Sequence, residues 1–174
     1  MTHELSQKGI NLIKEFEGCR LTAYKDCVGV WTIGYGITNA CKNITGTEIK
    51  KGLTISQETA DDWLRKTCKK KYGQNVNSFD HIYHWTQNEF DALCSFAYNI
   101  GSINELVQNG KLPKEKIADT MKLYNKAGRP LKVLNGLVRR RNAEIELFLN
   151  NSNINESFTI NLEIKQIQKL QEKL

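Results

Sequence analysis

No stretch of this 174-residue chain approaches the roughly 20 consecutive apolar residues that a bilayer-spanning helix needs. Stable membrane insertion is therefore not expected. The opening MTHELSQKGINLIKEFEG has no apolar core of signal-peptide type, so synthesis in the cytoplasm without a leader is the expectation. Histidine is scarce, with only His3, His81 and His84. Five cysteines, Cys19, Cys27, Cys41, Cys68 and Cys94, include no CxxC pair. A zinc site wants paired ligands at short intervals, so no metal is expected. The cysteines read as reduced thiols, with a Cys27–Cys41 bridge as an open alternative. Cys94 falls on an apolar helix face and reads as a small core residue. Internal repeats are absent.

The net charge is +6, concentrated in Arg65, Lys66, Lys69, Lys70 and Lys71 and again in Arg139, Arg140 and Arg141. Solvated helix faces are the ordinary explanation of the lysine cluster. Attraction to an anionic surface is the functional one. No nucleic-acid-binding module accompanies the charge, so nucleic acid is not an expected partner. The length suits one domain with a substantial core, and the 40% hydrophobic content is ordinary.

The densest signal lies at residues 16–36, FEGCRLTAYKDCVGVWTIGYG. Leu5, Ile10, Ile13 and Phe16 share one helical face, and Gly18 after Glu17 is a natural stop. Leu21, Ala23, Val28, Val30, Ile33 and Tyr35 then alternate with polar or small residues as strands do, with Asp26 at the turn. This arrangement sets a carboxyl at a helix end against a carboxyl and the Thr32 hydroxyl on a small sheet. Two carboxyls across a cleft can hydrolyse a glycosidic bond, one protonating the leaving oxygen while the other directs water or attacks. Cys19 and Cys27 flank these acids, but no histidine is close in sequence to activate either as a nucleophile.

Further along, residues 39–52 read as a polar loop. Thr54 with Gln57 has capping-box spacing before a helix reaching about Tyr72, with Ala60, Trp63 and Leu64 on one face. A mixed loop is expected over residues 73–85. Thr86 with Glu89 caps a helix carrying Phe90, Leu93, Cys94, Ala97 and Ile100 and ending at Gly101. Pro113 opens another, with Ile117, Met121 and Tyr124 inward. A last helix is expected over residues 135–149. Residues 1–149 form the expected main unit. Residues 150–174 form a polar linker and a short amphipathic helix carrying Leu162, Ile164, Ile167, Leu170 and Leu174.

The segment from Glu17 to Gly36 resembles the signature of the phage-type lysozymes, the endolysin muramidases, in which Glu, Asp and Thr form a catalytic triad. Here eight residues separate Glu17 from Asp26 and five separate Asp26 from Thr32. DALCSFAYNIG (residues 91–101) and YNKAG with GLVRRRNAEIELF (residues 124–148) match further blocks in order. The sequence departs from many relatives at Ile37, where they carry histidine.

The resemblance implies an α+β, lysozyme-like fold, with a small β-sheet lobe, a mainly helical lobe and an active-site cleft between them. It implies hydrolysis of the β-1,4 bond between N-acetylmuramic acid and N-acetylglucosamine in peptidoglycan, with no cofactor. Glu17 would be the general acid, and Asp26 and Thr32 would position the attacking water. Arg140 stands where the family places an arginine beside the catalytic glutamate. Such a pair orients Glu17 but also favours its ionised form, so protonation would require desolvation by bound sugar. Arg20 and Tyr24 lie on the expected cleft wall. Trp31 could stack on a sugar, although a tryptophan in a small sheet more often packs. Asn99, polar within an apolar helix, is expected to make an interlobe hydrogen bond. A monomer is expected, acting on peptidoglycan and attracted to anionic wall polymers, reaching the wall with help from a membrane-permeabilising partner. A non-catalytic wall-binding module and a lytic transglycosylase are the alternatives.

Overall fold

Helix α1 (Gln7–Glu17) starts where Ser6 leaves extended backbone and its hydroxyl accepts from the Gly9 N–H at 3.3 Å. It stops at Gly18, whose N–H donates back to the Lys14 carbonyl. The computed structural model describes residues 2–150; the amphipathic segment expected between residues 151 and 174 lies outside them. After α1 the chain forms an antiparallel sheet of β1 (Arg20–Lys25), β2 (Trp31–Gly34) and β3 (Ile37–Thr38), with β2 central. The segment around Thr54 pairs with the free edge of β1, through Ala23 N to Leu53 O and Ile55 N to Leu21 O.

Several expected elements shift. Val28 and Val30 do not continue the strand alternation. They sit in the β1–β2 turn, with Val28 77% exposed. The expected loop over residues 39–52 holds a 3₁₀ turn (Asn39–Cys41) and α2 (Lys42–Thr45). Helix α3 (Gln57–Thr67) is capped by Ser56 rather than Thr54, because Thr54 is engaged at the β1 edge. The helix continues through a π-helical turn (Cys68–Tyr72) into α4 (Gly73–Asn77), and α5 (Asp80–Tyr83) replaces much of the remaining expected loop.

The rest is helical. Helix α6 (Gln87–Ile100) has the expected capping box, with Thr86 and Glu89 satisfying each other's backbone N–H groups. Its apolar face is buried as expected except for Ile100, which is exposed. Helix α7 (Ile117–Met121) follows a 3₁₀ turn after Pro113. A two-stranded hairpin, β4 (Lys126–Ala127) and β5 (Lys132–Val133), precedes α8 (Asn135–Leu149) and had no counterpart in the sequence reading. Among the described residues no helix is long and apolar enough to cross a membrane.

Three apolar clusters account for the two lobes. Ile33, Ile37, Cys41, Ile49 and Trp63 pack behind the sheet. The large helical cluster centres on Phe90, Leu93, Phe96 and Met121. Ile10 and Ile13 of α1 fill the junction with Tyr35, Ala60, Leu64 and Cys68. Each fully buried aliphatic side chain contributes roughly 1.5–3 kcal/mol. Helix α1 is thus shared, since its Leu12 packs on the helical cluster as well.

A buried carboxylate fixes where α1 begins. Asp91 of α6 is fully buried and accepts from the Ser6 N–H at 2.9 Å, the Ser6 hydroxyl and Gln87 Nε2 at 2.9 Å. Such donors are what a buried charge requires. The approach needs a glycine at position 9: a Cβ there would lie 2.6 Å from Leu5 Cδ1 and 2.9 Å from Asp91 Cβ. Gly9→Ala should therefore cost about 1–3 kcal/mol through overpacking. A lower urea midpoint at unchanged slope would register it; an unmoved midpoint would mean that α1 can slide on α6 without cost.

Candidate active site

Glu17 occupies the last position of α1, with its side chain 20% exposed. Its Oε1 accepts from Arg140 Nη1 at 2.6 Å. Its other oxygen faces the β2–β3 turn: a Cβ at Gly36 would stand 3.4 Å from Glu17 Oε2. Gly36 has φ +86°, so the turn requires glycine on backbone grounds as well. The turn is held toward α6 by Tyr98, whose hydroxyl donates to the Tyr35 carbonyl at 2.6 Å. Glu17 and Arg140 line an open cavity of about 460 Å³ with Phe16, Asn99, Leu137 and Arg139.

Arg140 is itself 4% exposed and is gripped on its other edges. Nε donates to Glu144 Oε1 at 3.1 Å and Nη2 to the Ser95 carbonyl at 3.1 Å. Glu144 has no exposed surface, and its Oε1 also accepts from Ser95 Oγ at 2.7 Å. Arg141 completes the group, with Nε 3.0 Å from Glu144 Oε2 and Nη2 donating to Asn99 Oδ1 at 2.8 Å. Asn99 is hydrogen-bonded as expected, but within the helical lobe rather than between lobes. Burial pushes the Glu144 carboxyl above its ordinary range, opposed by Arg141, Arg140 and the Ser95 hydrogen bond. Burial likewise lowers the Arg141 guanidinium, with Glu144 acting against it.

Asp26 and Thr32 are organised by one residue, Val30. Asp26 Oδ1 accepts from the N–H groups of Val28 at 3.0 Å and Val30 at 2.8 Å. The Val30 carbonyl in turn accepts from Thr32 Oγ1 at 3.1 Å. Thr32 is 4% exposed on the central strand, opposite Tyr24 on one side and Thr38 on the other. Among the described residues Asp26 Oδ2 and the Thr32 hydroxyl accept no hydrogen bond. Among the described residues no hydrogen bond joins Glu17 to Asp26 or Thr32. The helix and the hairpin present their groups independently.

Residues 14–144 match the profile of the Phage lysozyme family. The chain belongs to the phage lysozyme family. It is 42% identical over 149 residues to the endolysin of Lactococcus phage c2, covering 83% of this chain and 60% of that protein. It is 32% identical over 151 residues to the endolysin of Salmonella phage P22, covering 84% of this chain and 98% of that protein. Among solved structures, the muramidase domain of SpmX from Asticaccaulis excentricus superposes with a TM-score of 0.68 at 33% identity. That match covers 86% of this chain and 99% of the domain. The fold is accordingly the lysozyme-like α+β fold. The chain spans 55–60% of the length of the Lactococcus and Bacillus phage endolysins it matches.

The family match runs from Lys14 to Glu144 and so takes in every residue of the site described above. Of the other residues singled out in the sequence, Arg20 lies over the Tyr24 ring at 4.4 Å, and the two form one feature of β1. Trp31 is half-buried and packs against the cluster behind the sheet, with the Lys25 ammonium 5.6 Å from its ring. Packing is its principal environment. All five cysteines are unbonded, so the Cys27–Cys41 bridge is not formed. Burial pushes the Cys68 thiol up to about 12. Among the described residues no cluster of three potential metal ligands occurs. Much of the lysine-rich surface is paired or bonded: Lys66 with Asp62, Lys69 with Glu4 and Arg65 with Gln7.

Sequence reasoning missed Glu144 and Ser95. The available signal was spacing, since Glu144 stands four and three residues after the two arginines of α8. Breaking a buried ion pair from one side leaves a charge unmet, so Arg140→Gln should cost about 3–5 kcal/mol of stability and loosen Glu17. Chemical denaturation measures the first effect. A loss within the range of a surface pair, about 0–1 kcal/mol, would mean that Arg141 alone satisfies Glu144.

Proposed function

We propose that this protein is a peptidoglycan hydrolase of endolysin type, cleaving the β-1,4 bond between N-acetylmuramic acid and N-acetylglucosamine. The observation that carries the reading is Glu17, held by a buried arginine and lining an open cavity of about 460 Å³. The printed descriptions of the relatives, endolysin and muramidase domain, point the same way.

In this mechanism Glu17 gives its proton to the glycosidic oxygen as that bond breaks. A water resting on Asp26 Oδ2 and the Thr32 hydroxyl attacks the anomeric carbon from the opposite face and passes its proton to Asp26. The product anomer is inverted. Bound sugar expels water from around Glu17 and so favours the neutral acid needed for the first step. Arg20 with Tyr24, on the same face of the sheet as Thr32, are assigned to the substrate side; Trp31, paired with Lys25 on the opposite face, is left to packing. No cofactor takes part.

The enzyme acts as a monomer on peptidoglycan, without nucleic acid, after release from the cytoplasm by a membrane-permeabilising partner. Anionic wall polymers attract its basic surface. Lys70 and Lys71, which line a groove of about 590 Å³ with Asn43 and Gln74, are suited to that contact. Residues 1–149 constitute the catalytic unit and residues 150–174 an accessory tail.

Glu17→Gln should lower turnover on soluble wall fragments by roughly 10²–10⁴-fold while the fold persists. Asp26→Asn and Thr32→Ala should each impair turnover with little change in wall binding. NMR of the first-formed anomer should show inversion. Initial retention would instead make Asp26 a nucleophile. Mass spectrometry of the digest separates hydrolysis, which leaves reducing muramic ends, from transglycosylation, which leaves anhydro ends. Near-normal lysis by Glu17→Gln would remove the assignment.

Deletion of residues 151–174 should leave hydrolysis of soluble fragments intact and lower activity on whole walls, where attachment raises local concentration. Loss of activity on fragments as well would place the tail within the catalytic unit.

A further inference from the structure

We propose that Glu144 and Arg141 are positioning residues that together set how strongly Arg140 holds Glu17 in its ionised form. The proposal rests on the general-acid role assigned to Glu17 above.

One guanidinium serves two carboxylates. Arg140 offers Nε to Glu144 Oε1 at 3.1 Å and Nη1 to Glu17 Oε1 at 2.6 Å, while the Ser95 carbonyl occupies Nη2 at 3.1 Å. Glu144 is fully enclosed and is fixed by Ser95 Oγ as well as by both arginines. Arg141 is 1% exposed, its Nη1 has no hydrogen-bond partner among the described residues, and its guanidinium lies 4.6 Å from the Phe96 ring centre. It contributes a buried positive charge met chiefly by Glu144.

The group therefore holds two positive and two negative charges when Glu17 is ionised, and a surplus positive charge when Glu17 carries a proton. Arg141 supplies the surplus and Glu144 offsets it. Glu15 and Arg139 line the same cavity as Glu17, with opposite charges that are unchanged in every variant tested below. Cys68 on the π-helical turn and Tyr98 on α6 also sense Glu17. Burial keeps both protonated, so neither adds charge. From α6 the remaining neighbours of the group, Ser95, Phe96 and Asn99, are uncharged. Lys14, on α1 itself, is taken up by Asp61 at 2.7 Å.

The test is the pH profile of kcat/KM on soluble wall fragments, using the full chain and its E144Q, R141M and E144Q/R141M variants. The alkaline limb reports loss of the proton from the catalytic acid. E144Q leaves more positive charge beside Glu17, so the proton departs earlier and the limb moves to lower pH by about one unit. R141M removes positive charge, and the limb moves to higher pH. The double variant restores the balance and returns the limb toward its original position. Circular dichroism establishes folding; should E144Q not fold, the upward shift in R141M decides. Rates depressed at every pH with an unmoved limb overturn the proposal, because Glu144 and Arg141 would then serve folding alone. An inactive Glu17→Gln variant beside unmoved limbs defeats this inference but leaves the hydrolase reading intact. An active Glu17→Gln variant defeats both.

Discussion

The guanidinium of Arg140 is the point at which the helical lobe meets the C-terminal end of α1. Its location is dictated from below by Glu144 and by the Ser95 carbonyl, so it depends on α6 and α8 being packed in one register. The ring of Phe16, one residue before Glu17, lies 5.7 Å from the same guanidinium. A shift of α8 by one residue would carry the arginine off Glu17. It would also leave Glu144 and Arg141 buried without partners. The penalty for that error is several kcal/mol per ion. Charge burial thus enforces a geometry that apolar packing alone would hold less tightly.

Helix α1 is constrained at its other end by a different carboxylate. Asp91 holds Ser6, Gly9 lets the helix approach α6, and eleven residues after Ser6 the chain delivers Glu17 to Arg140. Both anchors come from the helical lobe, while Ile10 and Ile13 fill the junction toward the sheet lobe. The hairpin has its own internal scaffold at Val30, whose N–H donates to Asp26 and whose carbonyl accepts from Thr32. The two sets of anchors are independent of each other: among the described residues no hydrogen bond joins Glu17 to Asp26 or Thr32.

Much of this was legible in the residues. Gly18 as a stop, the Thr86–Glu89 box and the helix at residues 135–149 follow from local chemistry that tertiary structure did not override. The failures have identifiable causes. Thr54 and Ser56 are both competent caps, and only the pairing of Thr54 with Thr22 shows why Ser56 is used. Val28 and Val30 look like strand residues, but Asp26 captures their N–H groups and closes a turn there. The β4–β5 strands, two residues each and largely exposed, are too short to show a period. Arg140 came through family resemblance. Glu144 did not, because an acid three or four residues after arginines ordinarily signals a surface pair. What distinguishes it is Ser95 on another helix, which no local pattern reveals.

The position of Glu17 sets two influences against each other. At the C-terminal end of a helix the unpaired carbonyls disfavour a negative side chain, an effect of about 0.3–1 kcal/mol near a surface. The neighbouring arginine acts in the opposite sense and, being buried and hydrogen-bonded at 2.6 Å, is the stronger of the two. Orientation follows from the same contact, because a carboxylate fixed through Oε1 keeps Oε2 turned toward the Gly36 turn.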